Sequence, residues 1–174
     1  MLNIFVNTWG NYNENGADGG EWITLPMEAE ELEETLNKIA EAMGDHDPEW
    51  AIHDYEWTTD IILRDIGEME NIEKVNEEVQ RLSELDEWQQ KTYCAMLDYF
   101  GSQSVDPDEV DNYRLYENVM DNYDLGYYWA VESGCYDLEK LGNLANYIDY
   151  EAFGRDINLE TDGGFTQFGW IERC

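Results

Sequence analysis

Hydrophobic and polar positions in the first sixty residues follow the pattern of a small α+β unit. Leu2–Trp9 and Glu21–Leu25 are rich in strand-forming residues, and the turn-rich stretch Gly10–Gly20 separates them. Glu28–Met43 then repeats apolar residues at helical spacing. That stripe consists of Leu32, Leu36, Ile39 and Met43. Trp50–Tyr55 is predicted to form a further strand.

The middle of the chain has the pattern of two helices. The first apolar stripe consists of Ile72, Val75, Val79 and Leu82. The second stripe consists of Trp88, Thr92, Ala95, Met96 and Tyr99. Gly101 is predicted to end the second helix, since glycine commonly follows a helix C-terminus. We expect the two helices to be antiparallel and to be joined near Leu85 and Asp86.

Helix and strand signals alternate again beyond residue 103. Asp106–Tyr113 is predicted to form a short helix, and Arg114–Val119 is predicted to form a strand. Asp121–Ser133 is predicted to be a helix that Gly134 ends. This part of the chain therefore mixes both element types.

A hairpin is predicted near the C-terminus. Asp162–Gly164 is a turn signal, and the two runs on either side of it, Ile157–Thr161 and Phe165–Ile171, are predicted to pair as strands. With one more strand they would form a three-stranded antiparallel sheet. The predicted fold class is α+β, an elongated chain of three small domains: an N-terminal α+β domain (1–60), a central helical domain (61–103) and a C-terminal α+β domain (104–174).

Acidic residues outnumber basic ones far beyond what solubility requires. The chain has 41 Asp and Glu against nine Lys and Arg, and its formal net charge is −32. Duplex DNA carries one negative charge per about 1.7 Å, so 32 charges match about 54 Å of double helix, or about 16 base pairs. Charge of this density repels itself and favours an elongated body. It indicates a protein that imitates nucleic acid rather than one that binds nucleic acid or an anionic membrane.

The charge belongs to folded elements and not to an acidic tail. Fifteen acidic residues lie in residues 1–60, ten in 61–103 and sixteen in 104–174, without a homopolymeric run. Apolar residues make up 43% of the chain and aromatic residues 14%, whereas disordered acidic chains are poor in both. The seven tryptophans are predicted to lie mostly in the core or in a subunit contact.

Carboxylates that lie off the apolar stripes or between elements are candidates for an exposed, DNA-like surface. These candidates are Glu28, Glu30, Glu31, Glu33, Glu34, Glu41, Asp45, Asp47, Glu49, Asp60, Glu70, Glu73, Glu77, Glu78, Asp108, Glu109 and Asp111. Glu28, Glu30 and Glu31 also suit a helix N-terminus, where the helix macrodipole favours negative charge.

The sequence contains no recognisable catalytic motif, since GxSxG, P-loop, HExxH and GxGxxG patterns are all missing. Of the two histidines, His53 is predicted to be a structural hydrogen-bonding residue rather than a base. Cys94, Cys135 and Cys174 fit neither a disulfide framework nor a zinc site. No signal peptide or apolar span is visible. We therefore expect a cytoplasmic protein without catalytic residues, cofactor or metal.

The acidity is also compatible with three further kinds of protein, and these alternatives stay open. A glycosidase needs two carboxylates about 5–10 Å apart in a cleft, and the sequence cannot select such a pair. For a calcium-binding protein, Asn11–Gly16 resembles half of an EF-hand loop, but Glu21 falls one position early, and Asp106–Asp111 lacks the required glycine. A protein adapted to high salt would carry the charge without any partner, and it would unfold at low salt.

Three segments resemble a known family. The run Leu144–Leu159, LANYIDYEAFGRDINL, is similar to the signature of the antirestriction DNA-mimic family called ArdA. Tyr12–Glu14 and Ala51–Glu56 also resemble that family at matching places. Residues 57–140 match more by charge and pattern than by motif, so that the resemblance extends nearly from end to end.

The resemblance implies a function and a partner. Proteins of this family are encoded on mobile elements and, during horizontal gene transfer, protect incoming DNA from type I restriction–modification enzymes. They are curved three-domain proteins that dimerise through their C-terminal domains. The homodimer mimics bent B-DNA in the groove of the methyltransferase core, which consists of specificity and modification subunits. Two chains would carry about 64 charges, which match about 32 base pairs.

Nine residues of the signature are candidates for the dimer seam or for recognition: Leu144, Tyr147, Ile148, Asp149, Tyr150, Phe153, Gly154, Arg155 and Asp156. The apolar members from Tyr147 to Phe153 have the spacing of one helical face. Arg155 is expected to pair with nearby carboxylates and so to hold the C-terminal domain together. Structure or dimerisation is the favoured role of the signature, and direct contact with the enzyme is the alternative.

An acidic interaction module is the second functional hypothesis. Such a protein would be a decoy or a chaperone for histones or for other basic DNA-binding proteins. Adding the protein to a type I enzyme and its cognate DNA separates the two hypotheses, because only a DNA mimic displaces the DNA.

Overall fold

A computed structural model describes residues 1–59, 61, 63–101 and 105–174. The chain divides into two compact units, Met1–Gln90 and Lys91–Cys174. Helices and strands occur in both units, and each unit contains a three-stranded antiparallel sheet, so the predicted α+β fold class is confirmed. The finer division into three domains at residues 60 and 103 stays a prediction.

The first sheet has the strand order β2-β1-β3, with β1 (Leu2–Thr8) in the centre, β2 (Glu21–Leu25) on one side and β3 (Trp50–Trp57) on the other. Both neighbours pair antiparallel with β1. Buried side chains alternate along β1 at Leu2, Ile4 and Val6, because successive residues of a strand point to opposite faces. All three strands were predicted from the sequence.

Helix α1 (Trp9–Asn15) differs from the turn-rich stretch that was predicted at Gly10–Gly20. Thr8 caps the helix by accepting a hydrogen bond from the backbone N–H of Asn11 at 3.2 Å. Gly16 follows the helix with a φ of 66°, in a region that favours glycine. No residue of α1 is buried, so the helix has no apolar stripe for a periodicity analysis to detect.

Helices α2 (Ala29–Met43) and α3 (Ile72–Glu84) follow the predicted stripes. The buried positions of α2 are Leu32, Leu36, Ile39 and Ala40. All four residues of the predicted stripe in α3 are buried. Helix α4 (Glu87–Phe100) includes the boundary between the two units, at Gln90 and Lys91.

Short helices and strands alternate in the second unit beyond α4. They are a 3₁₀ helix at Pro107–Asn112, strand β4 (Tyr113–Tyr116), helix α5 (Asn122–Tyr127), a π-helical extension at Tyr128–Glu132, a 3₁₀ segment at Leu138–Tyr147, helix α6 (Tyr150–Glu160) and strands β5 (Gly163–Thr166) and β6 (Gly169–Arg173). The sheet order is β4-β6-β5, and both pairs are antiparallel. This confirms the predicted C-terminal sheet.

The predicted position of the C-terminal hairpin is wrong. Ile157–Glu160 is helical, and the hairpin turn lies at residues 167–168, between β5 and β6. Gly163 and Gly164 are inside β5 instead of in the turn. A Cβ on Gly164 would lie 2.6 Å from the Cε2 atom of Tyr99, so glycine is required there for close packing and not for a turn.

The interior of the second unit contains a cluster around Trp170, Leu125 and Val119. Half-buried aromatic rings, including those of Tyr116 and Trp129, pack against it. Only Trp57 and Trp170 of the seven tryptophans are buried, Trp22 and Trp88 are exposed, and the other three are half-buried. The prediction that most of them lie in the core is therefore wrong, and a subunit contact stays a prediction. Across the part of the chain that the structure describes, no helix has both the length and the apolar character that a membrane crossing needs.

Candidate functional site

The carboxylates of this chain lie almost entirely on its surface. Among the forty acidic residues that the structure describes, only Glu78 is buried. Asp45, Glu70, Asp124 and Glu172 are half-buried, and the others are exposed. This distribution follows from solvation, because burying an ionised carboxylate without a partner carries a large free-energy penalty.

Most of the predicted surface candidates are exposed. The exposed candidates are Glu28, Glu30, Glu31, Glu33, Glu34, Glu41, Asp47, Glu49, Glu73, Glu77, Asp108, Glu109 and Asp111. Asp45 and Glu70 are half-buried, Glu78 is buried, and Asp60 lies outside the described residues. Candidates in both units are therefore available to a partner.

Helix α2 shows how the sequence separates charge from core. Its buried residues lie on one stripe, and its glutamates lie on the remaining surface. Glu30 and Glu31 lie in the first turn, where the macrodipole stabilises negative charge. Lys38 forms an exposed pair with Glu34 at 3.4 Å, which neutralises little of this surface.

The buried candidate Glu78 belongs to an ionic cluster around Arg64, and this corrects its assignment to the exposed surface. The Nε and Nη2 atoms of Arg64 donate to the two carboxylate oxygens of Glu78 at 2.8 and 2.6 Å. Its Nη1 and Nη2 atoms donate to Glu70 at 3.0 and 2.8 Å. Only 7% of Arg64 and 8% of Glu78 are exposed, so the cluster is part of the interior of the first unit.

Hydrogen bonds within the cluster favour the charged forms of Arg64 and Glu70. Burial opposes the charged form of Glu70, but hydrogen bonds from Arg64 and from the backbone N–H of Gly67 outweigh it and lower the pKa of Glu70. Burial likewise opposes the charge of Arg64, but hydrogen bonds to Glu78 and Glu70 raise its pKa. One signal was present in the sequence, since a rare arginine in so acidic a chain requires nearby carboxylates.

Two of the segments that resemble the antirestriction family meet in the first unit. The ring of Tyr12 stacks on the imidazole of His53, with ring centroids 4.1 Å apart. The Nδ1 atom of His53 lies 3.0 Å from a carboxylate oxygen of Glu68, and its side chain is 10% exposed. These contacts agree with the predicted structural role of His53. Sequence periodicity could not reveal the stack, because the two rings lie on different elements.

The signature segment Leu144–Leu159 is divided between two elements, the 3₁₀ segment that ends at Tyr147 and helix α6. Asp149 caps α6 by accepting a hydrogen bond from the backbone N–H of Ala152 at 3.0 Å. Tyr147 is 83% exposed and precedes the helix. The predicted single helical face from Tyr147 to Phe153 is therefore wrong, because the chain becomes α-helical only at Tyr150.

Gly154 of the signature lies at a close crossing of α5 and α6. A Cβ atom on Gly154 would overlap the carbonyl oxygen of Asn122 and lie 2.6 Å from the backbone nitrogen of Gly126. A Cβ on Gly126 would overlap the carbonyl oxygen of Tyr150. The two glycines bring the helix backbones together, and this supports the structural role that was favoured for the signature.

Aromatic rings surround this crossing. The ring centroid of Tyr150 lies 5.7 Å from that of Tyr123 and 5.4 Å from that of Tyr127. Both geometries are edge-to-face, the arrangement that the charge distribution of aromatic rings favours. The partners Gly126, Tyr123 and Tyr127 were not predicted from the sequence, because their contact with the signature is tertiary.

Arg155 makes an exposed pair with its neighbour in the chain. Its Nε atom lies 3.7 Å from the Oδ1 atom of Asp156, and the two side chains are 60% and 67% exposed. The expected pairing with a carboxylate is thus present. The pair lies within α6, however, so it does not tie two elements together as was expected.

We expect Arg155→Ala to change the free energy of unfolding by less than about 1 kcal/mol, because exposed ion pairs contribute little. Urea denaturation followed by circular dichroism measures this change. Asp156→Ala is the matched control, since it removes the other half of the same pair. A loss above about 2 kcal/mol for Arg155→Ala alone would contradict the assignment of this arginine to an exposed position.

Several large apolar side chains of the second unit are exposed. They include Tyr147 (83%), Leu159 (77%), Leu144 (68%), Tyr136 (54%) and Leu141 (44%). Three of these five lie in the 3₁₀ segment. Among the residues that the structure describes, no group of three His, Cys, Asp or Glu side chains is arranged to hold a metal ion.

Comparison with known proteins identifies one family. No curated protein is significantly similar to the chain in sequence. A protein-family model described as Antirestriction protein (ArdA) matches residues 4–172, which include nearly all of both units, the tyrosine–histidine stack and the whole signature segment. The chain therefore belongs to the antirestriction protein (ArdA) family.

Proposed function

We propose that this antirestriction protein imitates the charge and shape of B-form DNA and occupies the DNA-binding groove of type I restriction–modification enzymes. The observation that carries the proposal is the exposure of nearly all described carboxylates on folded elements in both units. Exposed carboxylates alone also suit a protein adapted to high salt, but membership of the antirestriction family favours a partner with a basic groove. A protein that competes with a polyanion for a basic groove requires such a surface.

The groove would be that of the methyltransferase core, which contains specificity and modification subunits. Carboxylates of the inhibitor would contact the lysines and arginines that otherwise contact DNA phosphates. Phosphate contacts carry no direct sequence information, so one inhibitor suits enzymes with different recognition sequences. Occupation of the core blocks both restriction and modification, and it involves no catalytic step and no cofactor.

A homodimer is part of this proposal. The exposed apolar side chains of the second unit support a self-contact, because large exposed apolar surfaces commonly mark protein interaction sites. Two chains of net charge −32 match about 32 base pairs of duplex. That length suits an enzyme that holds a long, divided recognition site.

The carboxylates of this protein are held on folded elements, unlike those of a flexible acidic tail. Carboxylates fixed on helices such as α2 and α3 lose less conformational freedom on binding than carboxylates of a disordered chain. The attraction is electrostatic, so affinity is expected to fall steeply as salt rises.

If mimicry depends on many separate contacts, neutralising more carboxylates should weaken binding to the enzyme step by step. We expect Glu→Gln at one of Glu30, Glu31, Glu34 or Glu41 to weaken binding about twofold, since one exposed ion pair contributes about 0.5 kcal/mol. The fourfold variant should lose about 2 kcal/mol, or about 30-fold. The measurement is displacement of a fluorescent cognate duplex from a purified type I methyltransferase core, followed by anisotropy at several salt concentrations.

Poly-glutamate of 32 residues is the matched control, because it has the same net charge without the fold. We expect it to displace DNA much less effectively than the protein. If the protein fails to displace DNA even at low salt, mimicry is the wrong mechanism. Binding to histones and other basic proteins without such displacement would favour the second hypothesis, an acidic decoy or chaperone.

A further inference from the structure

Helices α2 and α3 border a cleft of about 430 Å³ in the first unit. Its floor and walls combine apolar and acidic side chains. The lining residues are Ala29, Leu32, Glu33, Leu36, Asn37, Trp50, Glu73, Asn76 and Glu77. The volume lies near the lower end of the range of ligand pockets, roughly 300–1,000 Å³. The cleft therefore has room for a long side chain rather than for a folded element.

Hydrogen bonds hold the cleft open in a fixed shape. The side-chain amide of Asn76 accepts from the backbone N–H of Met27 at 2.8 Å and donates to the carbonyl oxygen of Met27 at 2.8 Å. This pair of bonds joins α3 to the segment that precedes α2. Leu32 and Leu36 are buried below the cleft, so α2 is anchored by the core. Little reorganisation is needed before a partner enters.

Three carboxylates give the cleft its charge. Glu33 reaches it from α2, and Glu73 and Glu77 reach it from α3. All three are exposed, and one oxygen of Glu73 accepts a hydrogen bond from Asn71 at 3.1 Å. Among the described residues that line the cleft, none is basic. The cleft is thus a negative site without an internal cation.

An aromatic ring completes the site. Trp50 begins β3, is half-buried and belongs to the lining. Tryptophan is the aromatic side chain that attracts cations most strongly through its ring face. A guanidinium group stacks on aromatic faces and binds carboxylates through paired hydrogen bonds, whereas an ammonium group acts as a compact point charge. Carboxylates on two walls and an indole therefore suit an arginine side chain best.

We propose that the α2–α3 cleft is an anchor site that receives one arginine side chain from the enzyme's DNA-binding groove. This inference rests on the proposed function and adds a specific feature to it. Charge spread over a surface attracts a basic groove without fixing its position. A single arginine in the cleft would fix the register of the inhibitor in that groove and would contribute more affinity than an ordinary surface contact.

The test compares two threefold variants with the same change in net charge. The cleft variant is Glu33→Gln, Glu73→Gln and Glu77→Gln. The control is Glu30→Gln, Glu41→Gln and Glu84→Gln, whose exposed positions lie on the same two helices and outside the cleft lining. Both are assayed by displacement of a fluorescent cognate duplex from a purified type I methyltransferase core.

We expect the control to weaken displacement about tenfold and the cleft variant to weaken it at least a hundredfold. A second variant, Trp50→Leu, keeps the net charge and should still weaken displacement by about tenfold. Circular dichroism spectra that match the parent show that each variant is folded. Equal losses for the two threefold variants would overturn the anchor site and leave mimicry intact. Failure of the parent protein to displace DNA would overturn the proposed function itself.

Discussion

Replacing Gly154 with alanine is expected to destabilise the second unit by about 2–4 kcal/mol. Alanine stabilises a helix by about 1 kcal/mol relative to glycine, so helix propensity alone predicts a gain in stability. The added Cβ, however, would overlap the carbonyl oxygen of Asn122, and the backbones of α5 and α6 would have to separate. Overpacking of this kind commonly costs about 1–3 kcal/mol and sometimes more. Urea denaturation followed by circular dichroism measures the loss.

Gly10→Ala is the control for that experiment. Gly10 is also a helical glycine, in α1, but a Cβ there meets only the side chains of Asp45 at 3.3 Å and Thr8 at 3.9 Å. We expect the stability of the Gly10→Ala variant to change little or to rise slightly. If Gly154→Ala is as stable as the parent, close backbone contact is not what the signature glycine provides.

Arg64→Met is expected to lower the free energy of unfolding of the first unit by about 3–5 kcal/mol. Removal of one partner from a buried ion pair leaves the other charge uncompensated. The carboxylate of Glu78 would lose two hydrogen bonds from Arg64, and that of Glu70 would also lose two. Lys74→Met is the matched control, because it removes one positive charge from an exposed position of the same unit.

The loss caused by Arg64→Met should depend on pH. The fold lowers the pKa of Glu70 below its ordinary value of 4.5. A lowered carboxyl pKa stabilises the folded state above the unfolded pKa, and this contribution disappears as pH falls through the folded pKa. The difference between parent and variant should therefore be largest near neutral pH and shrink below about pH 4.5. A difference that stays constant from neutral pH down through this range would contradict the role of this ion pair.

A double variant tests the same cluster from the opposite direction. Replacing a buried ion pair by apolar side chains of similar size is often nearly neutral. Arg64→Met combined with Glu78→Leu should therefore recover part of the stability that Arg64→Met loses. If the double variant is less stable than the single one, the buried charge of Glu78 is not the cause of the loss.

Much of the first unit could be predicted from periodicity. The strands β1, β2 and β3 and the helix α2 agree with the sequence analysis to within a few residues. These elements bury one face, and burial imposes a repeat of two or of about 3.6 residues on the apolar positions. Helix α1 buries no residue and therefore lacks such a repeat.

Glycines were the main source of error in the second unit. Glycine occurs both in turns and where two backbones approach closely, and the sequence does not distinguish these uses. Gly163 and Gly164 were assigned to a turn, but they lie in β5 against Ile171 and Tyr99. The pairing of Gly126 with Gly154 likewise depends on a tertiary contact between helices.

The sequence could predict that most of the candidate carboxylates are exposed, but not which partner the buried one has. Total charge and its spread along the chain indicated exposed carboxylates, and the structure places most of the candidates at the surface. Glu78 lies three residues after Val75 and four before Leu82, on the buried face of α3, whereas its neighbour Glu77 lies on the exposed face. Helical spacing could have indicated this burial, but a local pattern cannot reveal the partner Arg64, fourteen positions earlier in the chain.

Near-complete exposure of the carboxylates makes this protein unusually free to diverge. Exchange of aspartate for glutamate at a solvent-facing position alters neither the interior nor the sign of the charge. Descendants of such a gene can accumulate many of these exchanges while they keep the fold. Positions such as Gly154 and Arg64 do not have this freedom. Related sequences should therefore keep a few interior residues after most of their surface residues have changed.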